Sequence, residues 1–149
     1  MKYYCDTSVL ASIYLEDSDS KKITRWLQEA ALPLPLSPLG ELELTGAVQQ
    51  RLFRKQITMQ EAIKCQRDIQ DDIDQGIYRR VSLDSKEYSQ ALQLVHHHTS
   101  SIGCRTLDVL HVASALLLNI REFVTCDARQ KLLAQTAGLK VLNFQQAPV

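Results

Sequence analysis

Two strand-like runs of this chain end in the same way: YYC is followed by Asp6 and FVTC by Asp127, each aspartate directly ahead of a helix. Aspartate is a favoured helix N-cap, because its carboxylate accepts hydrogen bonds from the free backbone N–H groups of the first turn, so capping alone accounts for either residue. A third acid needs more. Asp108 sits in RTLDVLHVASALLL, Arg105 to Leu118, where Val109, Leu110, Val112, Ala113, Leu116 and Leu117 cover almost every face of the helix. Such a helix is central and buried. With Thr106 read as its N-cap, Asp108 falls in the first turn, where the helix dipole favours a negative charge by ~0.3–1 kcal/mol. That does not offset the cost of burying a carboxylate, which needs something positive beside it. A bound cation meets the need, and so does Arg105.

A fourth acid comes from SPLGELELTGA, as Glu41 or Glu43. At helical spacing Glu43 shares its side with Gly40, Gly46 and Ala47, which leave room for a ligand, whereas Glu41 falls nearer Pro38, Leu44 and Val48. Either could also be a solvated surface residue. Four carboxylates meeting in one pocket raise one another's pKa values unless a cation is present. An all-oxygen donor set selects a hard ion, Mg²⁺ or Mn²⁺. Such an ion activates water and steadies the charge on a phosphoryl group under attack, which is phosphodiester chemistry.

Strands alternating with helices predict an α/β domain with a central, mainly parallel sheet covered on both faces. Its ligands belong beyond the carboxyl ends of the strands, where strand order reverses. The strands are expected at KYYC, LPLS, IYRRVSL, REFVTCD and LKVLNF, and helices at SDSKKITRWLQEA, from Pro38 through Lys55, from a Thr58–Glu61 capping box to a stop at Gly76, at SKEYSQALQLVHHH, from Thr106, and at ARQKLLAQTAG. The 149 residues are ordinary globular composition for one domain, 1–149, with 45% apolar and 23% charged residues. A net charge of zero supplies no general attraction for nucleic acid or membrane, so a nucleic-acid partner must be gripped locally. Four cysteines without a C-x-x-C pair, no signal peptide and no run long enough to span a bilayer point to a reduced, cytoplasmic protein. His96, His97 and His98 point three ways around a helix and form a polar helix end rather than one metal site; His111 reads as a packed histidine. Arg105 and Arg129 lie within three residues of an aspartate and could grip a phosphate in bidentate fashion. An aspartyl-phosphate phosphotransferase would want an acid where Ser8 stands, and a receiver domain would want paired acids and a lysine the chain lacks.

YYCDTSVL, SPLGELEL, RTLDVLHVASAL and FVTCDARQ, in this order and spacing, resemble the PIN-domain ribonucleases, and most closely the VapC-type toxins of bacterial toxin–antitoxin pairs. The likeness covers essentially the whole chain and implies a three-layer α/β/α sandwich. By position it makes Asp6, Glu43, Asp108 and Asp127 the acidic, Mg²⁺-binding and catalytic quartet, with Mn²⁺ as substitute and Glu41 as the spare. It further implies an endoribonuclease leaving 5′-phosphate and 3′-hydroxyl ends, a homodimer, and a cognate antitoxin protein that silences it. The other reading is an idle PIN-fold scaffold that binds RNA or protein.

Overall fold

The computed structural model describes residues 1–142 and Phe144. Its elements run β1 (Tyr3–Cys5), α1 (Thr7–Tyr14), α2 (Ser20–Glu29), β2 (Leu34–Leu36), α3 (Pro38–Phe53), α4 (Met59–Asp74), β3 (Tyr78–Arg80), α5 (Ser85–Leu94), α6 (Ser100–Ile102), α7 (Thr106–Leu117), β4 (Glu122–Val124), α8 (Ala128–Thr136) and β5 (Lys140–Leu142). A π-helical turn, Val95–Thr99, carries the three histidines and joins α5 to α6 without a break, so they lie within a helix that continues to Ile102 rather than at its end. Of the expected last strand, Asn143 lies outside the described residues.

Every strand pairing is parallel. β4 lies between β1 and β5, β2 pairs with β3, and β1 packs beside β2. The hydrogen-bonded ladders form two sheets, β1-β4-β5 and β2-β3, and with β1 beside β2 the strands lie in the order β3, β2, β1, β4, β5, chain order reversing between β1 and β4. Cys5 faces Val124 across that seam, and the Asp6 N–H donates to Val124 O at 3.0 Å. The residues following both strands thus emerge side by side at the reversal point.

Alternation along the short strands divides the interior in two. Tyr4 and Phe123 point to one face, their rings stacked at 5.6 Å, and join Ala91 and Leu94 of α5, Val109, Val112 and Ala113 of α7, and Leu133 of α8. Cys5 and Val124 point to the other, among Val9 and Leu10 of α1, Ile23 of α2, Leu44 and Val48 of α3, and Ile69 of α4. Helices on both sides of a parallel sheet make the three-layer sandwich that the alternation implies.

Helix ends follow local chemistry. Ser37 accepts from Gly40 N with Pro38 opening α3, and Thr58 and Glu61 form the reciprocal capping box of α4. Gly76 then ends that helix in the left-handed conformation, φ +78°. One expectation is corrected at α7. Thr106 is the first helical residue rather than the cap; Arg105 holds the capping position in extended backbone, with no side-chain capping bond. That extended residue lets the guanidinium fold back onto Asp108, the third residue of the helix.

Candidate active site

A cavity of about 250 Å³ opens at the reversal point, lined by all four predicted acids together with Thr7, Ser8, Arg105, His111, Cys126 and Gln130. Asp6 follows β1 and caps α1. Its Oδ1 accepts from Val9 N at 3.0 Å and Ser8 Oγ at 2.8 Å, and its Oδ2 accepts from Thr125 Oγ1 at 2.7 Å. Capping and pocket-lining are therefore one residue's two tasks. Burial pushes the Asp6 carboxyl above its ordinary value, against the bonds from Thr125, Val9 and Ser8, which favour the charged form.

Asp127 caps α8, accepting from Gln130 N at 2.8 Å. Thr125 ties it to Asp6: the same hydroxyl accepts from Asp127 N at 2.9 Å. The hydroxyl's single proton lies between Asp6 Oδ2 and Gln130 Oε1, which is 2.8 Å away. The Gln130 amide in turn donates to Asp108 O at 3.2 Å. Thr125 and Gln130, both fully buried, thus link the strand end to the starts of α7 and α8.

Asp108 is paired with Arg105, Nε to Oδ2 at 2.9 Å and Nη2 to Oδ1 at 3.4 Å. The carboxylate is largely covered, 17% exposed, whereas the arginine is 78% exposed. Glu43, on α3, turns to the pocket, and its Oε2 accepts from Thr7 Oγ1 at 2.7 Å and His111 Nε2 at 2.6 Å. Burial acts to raise the Glu43 carboxyl, but the bonds from His111 and Thr7 and the nearby Arg105 charge outweigh it and hold it below the ordinary value. Glu41 points elsewhere and forms a two-bond pair with Arg80 at 3.0 and 2.8 Å on an exposed face. Two residues along a helix is about 200° of rotation, which separates the two glutamates.

Arg129 does not line the main cavity. It borders an adjoining hollow with Arg105, Asp108 and Asp127, and its Nη1 donates to Gly103 O at 3.3 Å. Cys126 borders the cavity as a neutral thiol, pushed up to about 12 by burial and by Asp6, Asp19 and Asp17. His111 is packed, as expected, at 3% exposure, yet it also reaches the site. Its role with Glu43, and those of Tyr4, Thr125 and Gln130, escaped the sequence. The one available signal was position: Thr125 and Gln130 flank Asp127 at the offsets a cap uses.

The donor set suits a hard divalent ion, since all four acids offer carboxylate oxygens. Among the described residues no three His, Cys, Asp or Glu side chains are gathered closely enough to hold an ion together. The exposed Arg105 guanidinium supplies positive charge at Asp108.

The fold is shared with solved structures of low sequence identity. FitAcB from Neisseria gonorrhoeae is 17% identical, with 97% of this chain and 99% of that one covered and a TM-score of 0.70. VapC20 of Mycobacterium tuberculosis, described as a sarcin–ricin loop cleaving toxin, is 16% identical over 93% and 96% of the two chains, TM-score 0.68. A toxin–antitoxin complex from Klebsiella pneumoniae is 11% identical over 96% and 97%, TM-score 0.65. No curated protein matches the sequence. The PIN domain family model matches residues 3–137. The chain belongs to the PIN domain family.

Proposed function

We propose that this protein is a metal-dependent endoribonuclease and the toxin of a type II toxin–antitoxin pair. The observation that carries the reading is the convergence of Asp6, Glu43, Asp108 and Asp127 on one cavity at the end of the parallel sheet. Nothing in the fold requires four acids there, since caps need only two of them. Support comes from the solved relatives, one of which is described as cleaving the sarcin–ricin loop and another as a toxin–antitoxin complex.

Asp6 and Asp108 are the principal candidates to hold Mg²⁺, or Mn²⁺ in its place, with Glu43 and Asp127 completing the set. When bound, such an ion lowers the pKa of a coordinated water and offsets charge on the phosphoryl group. The chain's own residues do the rest. Arg105, anchored on Asp108 and exposed at its tip, can turn to a phosphate oxygen with its bidentate donors. Arg129, in the adjoining hollow, stands ready for a flanking phosphate. Thr125 and Gln130 keep Asp6, Asp108 and Asp127 in register while a substrate strand enters. Hydrolysis of this kind leaves 5′-phosphate and 3′-hydroxyl ends. The antitoxin, on this reading, places a basic side chain among the same carboxylates, and the active form is a homodimer.

Thermal unfolding with Mn²⁺ tests the metal half of the proposal. Mn²⁺ should raise the Tm of the wild-type protein and leave the Asp6→Asn/Asp108→Asn double variant unmoved. An equal rise in both would place the ion elsewhere and overturn the reading.

A further inference from the structure

A buried histidine that merely fills a core needs no polar destination, and leucine would serve as well. His111 has two. Its ring lies edge-on to Tyr4 at 5.9 Å, and the Tyr4 ring is itself stacked on Phe123, so packing fixes both. Tyr4 Oη lies 3.0 Å from His111 Nδ1, and His111 Nε2 lies 2.6 Å from Glu43 Oε2. A carboxylate only accepts, a phenol can donate or accept, and in a neutral imidazole one ring nitrogen donates while the other accepts. The chain of bonds therefore has one direction: Tyr4 donates to Nδ1, and Nε2–H donates to Glu43. Thr7 donates to the same Oε2 at 2.7 Å. Among the described residues Oε1 has no such partner.

We propose that Tyr4 and His111 are positioning residues for Glu43: the phenol fixes the imidazole as its Nε2–H tautomer, and that N–H locks Glu43 Oε2 so that Oε1 is left free as the open oxygen of the pocket. The inference rests on the reading of the pocket as a divalent-cation site. A glutamate has three rotatable torsions, and unrestrained it could turn its carboxylate to solvent or to Arg105. Holding one oxygen from behind removes that freedom. The same logic orients first-sphere ligands in metal sites, where loss of the outer partner costs about 10- to 100-fold in metal affinity.

The test measures Mn²⁺ affinity, with Mn²⁺ alone as probe, from the paramagnetic resonance signal of the free ion, and reads the His111 tautomer by ¹⁵N NMR. Wild type should show Nε2–H with an unprotonated Nδ1. His111→Leu should weaken Mn²⁺ binding by about 10- to 100-fold, while His111→Gln, which carries an N–H₂ near the position of Nε2, should recover most of it. Tyr4→Phe keeps the ring volume, frees Nδ1 and should show a smaller loss of affinity, which covers the case of a His111→Leu protein that fails to fold. Folded His111→Leu binding Mn²⁺ as tightly as wild type, or a Tyr4→Phe protein with unchanged affinity, overturns the proposal. If Asp6→Asn abolishes binding in that same series, the metal reading stands and only the positioning role falls. Wild type that binds no Mn²⁺ removes both.

Discussion

Asp6 shows how one side chain can serve fold and site together, and at what energetic cost. Its carboxyl is 4% exposed and is pushed up by burial. A raised acid binds its proton more tightly in the folded state. Between the ordinary carboxylate value and the raised one, the folded protein holds more protons than the unfolded chain, so stability falls as pH rises through that window. Above it the penalty is fully present. Asp6→Asn should therefore raise Tm by a few degrees at pH 7, and the gap should close in acid below the ordinary carboxylate value. The asparagine keeps the acceptor for Val9 N–H, and Thr125 can turn its proton to Gln130 Oε1 while accepting from the new amide. A lower Tm at pH 7 would show that the charge is welcome there without a cation. Glu41 is the control at this scale. Its pair with Arg80 is partly exposed, so it contributes little to stability, and Glu41→Gln should leave both Tm and cleavage close to wild type. A cleavage loss comparable to that of Asp6→Asn would reassign the fourth acid.

Elements were legible where local chemistry decides them. The Thr58–Glu61 box, Pro38 after Ser37, and Gly76 at the end of α4 all stand where spacing placed them. Thr58→Ala should thus lower stability by ~1 kcal/mol, a Tm drop of about 2–4 °C for a chain of this size, with cleavage untouched because α4 contributes nothing to the pocket. A calorimetric scan beside an activity assay decides it. α7 starts one residue earlier than residue type suggests: Thr106 is a good cap by composition, whereas Arg105 takes the position and pairs with Asp108. The His111 bonds were illegible for a different reason. They join β1, α3 and α7 across long stretches of chain, and only the sandwich brings Tyr4, Glu43 and His111 together. Periodicity reports which face of a helix is buried, and not which polar group lies opposite.

On the scale of the whole molecule, the acids cluster at one end of the sheet while the chain's net charge is zero. The RNA substrate of the proposed activity would then be recognised by local grip and shape, not by a general field. No helix of the described residues is long and apolar enough to cross a membrane. Several large apolar side chains stay exposed, among them Phe53, Leu42, Tyr88 and Leu92. If the protein is the toxin of a pair, inducing it alone should arrest growth, and co-expressing the adjacent gene should restore it; arrest that persists would separate nuclease activity from toxin–antitoxin pairing. The central claim is that the four carboxylates cleave RNA with a divalent ion, and it is tested most directly by incubating structured RNAs, tRNA included, with wild type, Asp6→Asn and Asp108→Asn in Mg²⁺, Mn²⁺ or EDTA. Cleavage should occur with wild type in either ion, vanish in EDTA, and fall by orders of magnitude in both variants, leaving 5′-phosphate ends. Cleavage that survives EDTA, or survives in both variants, would contradict it.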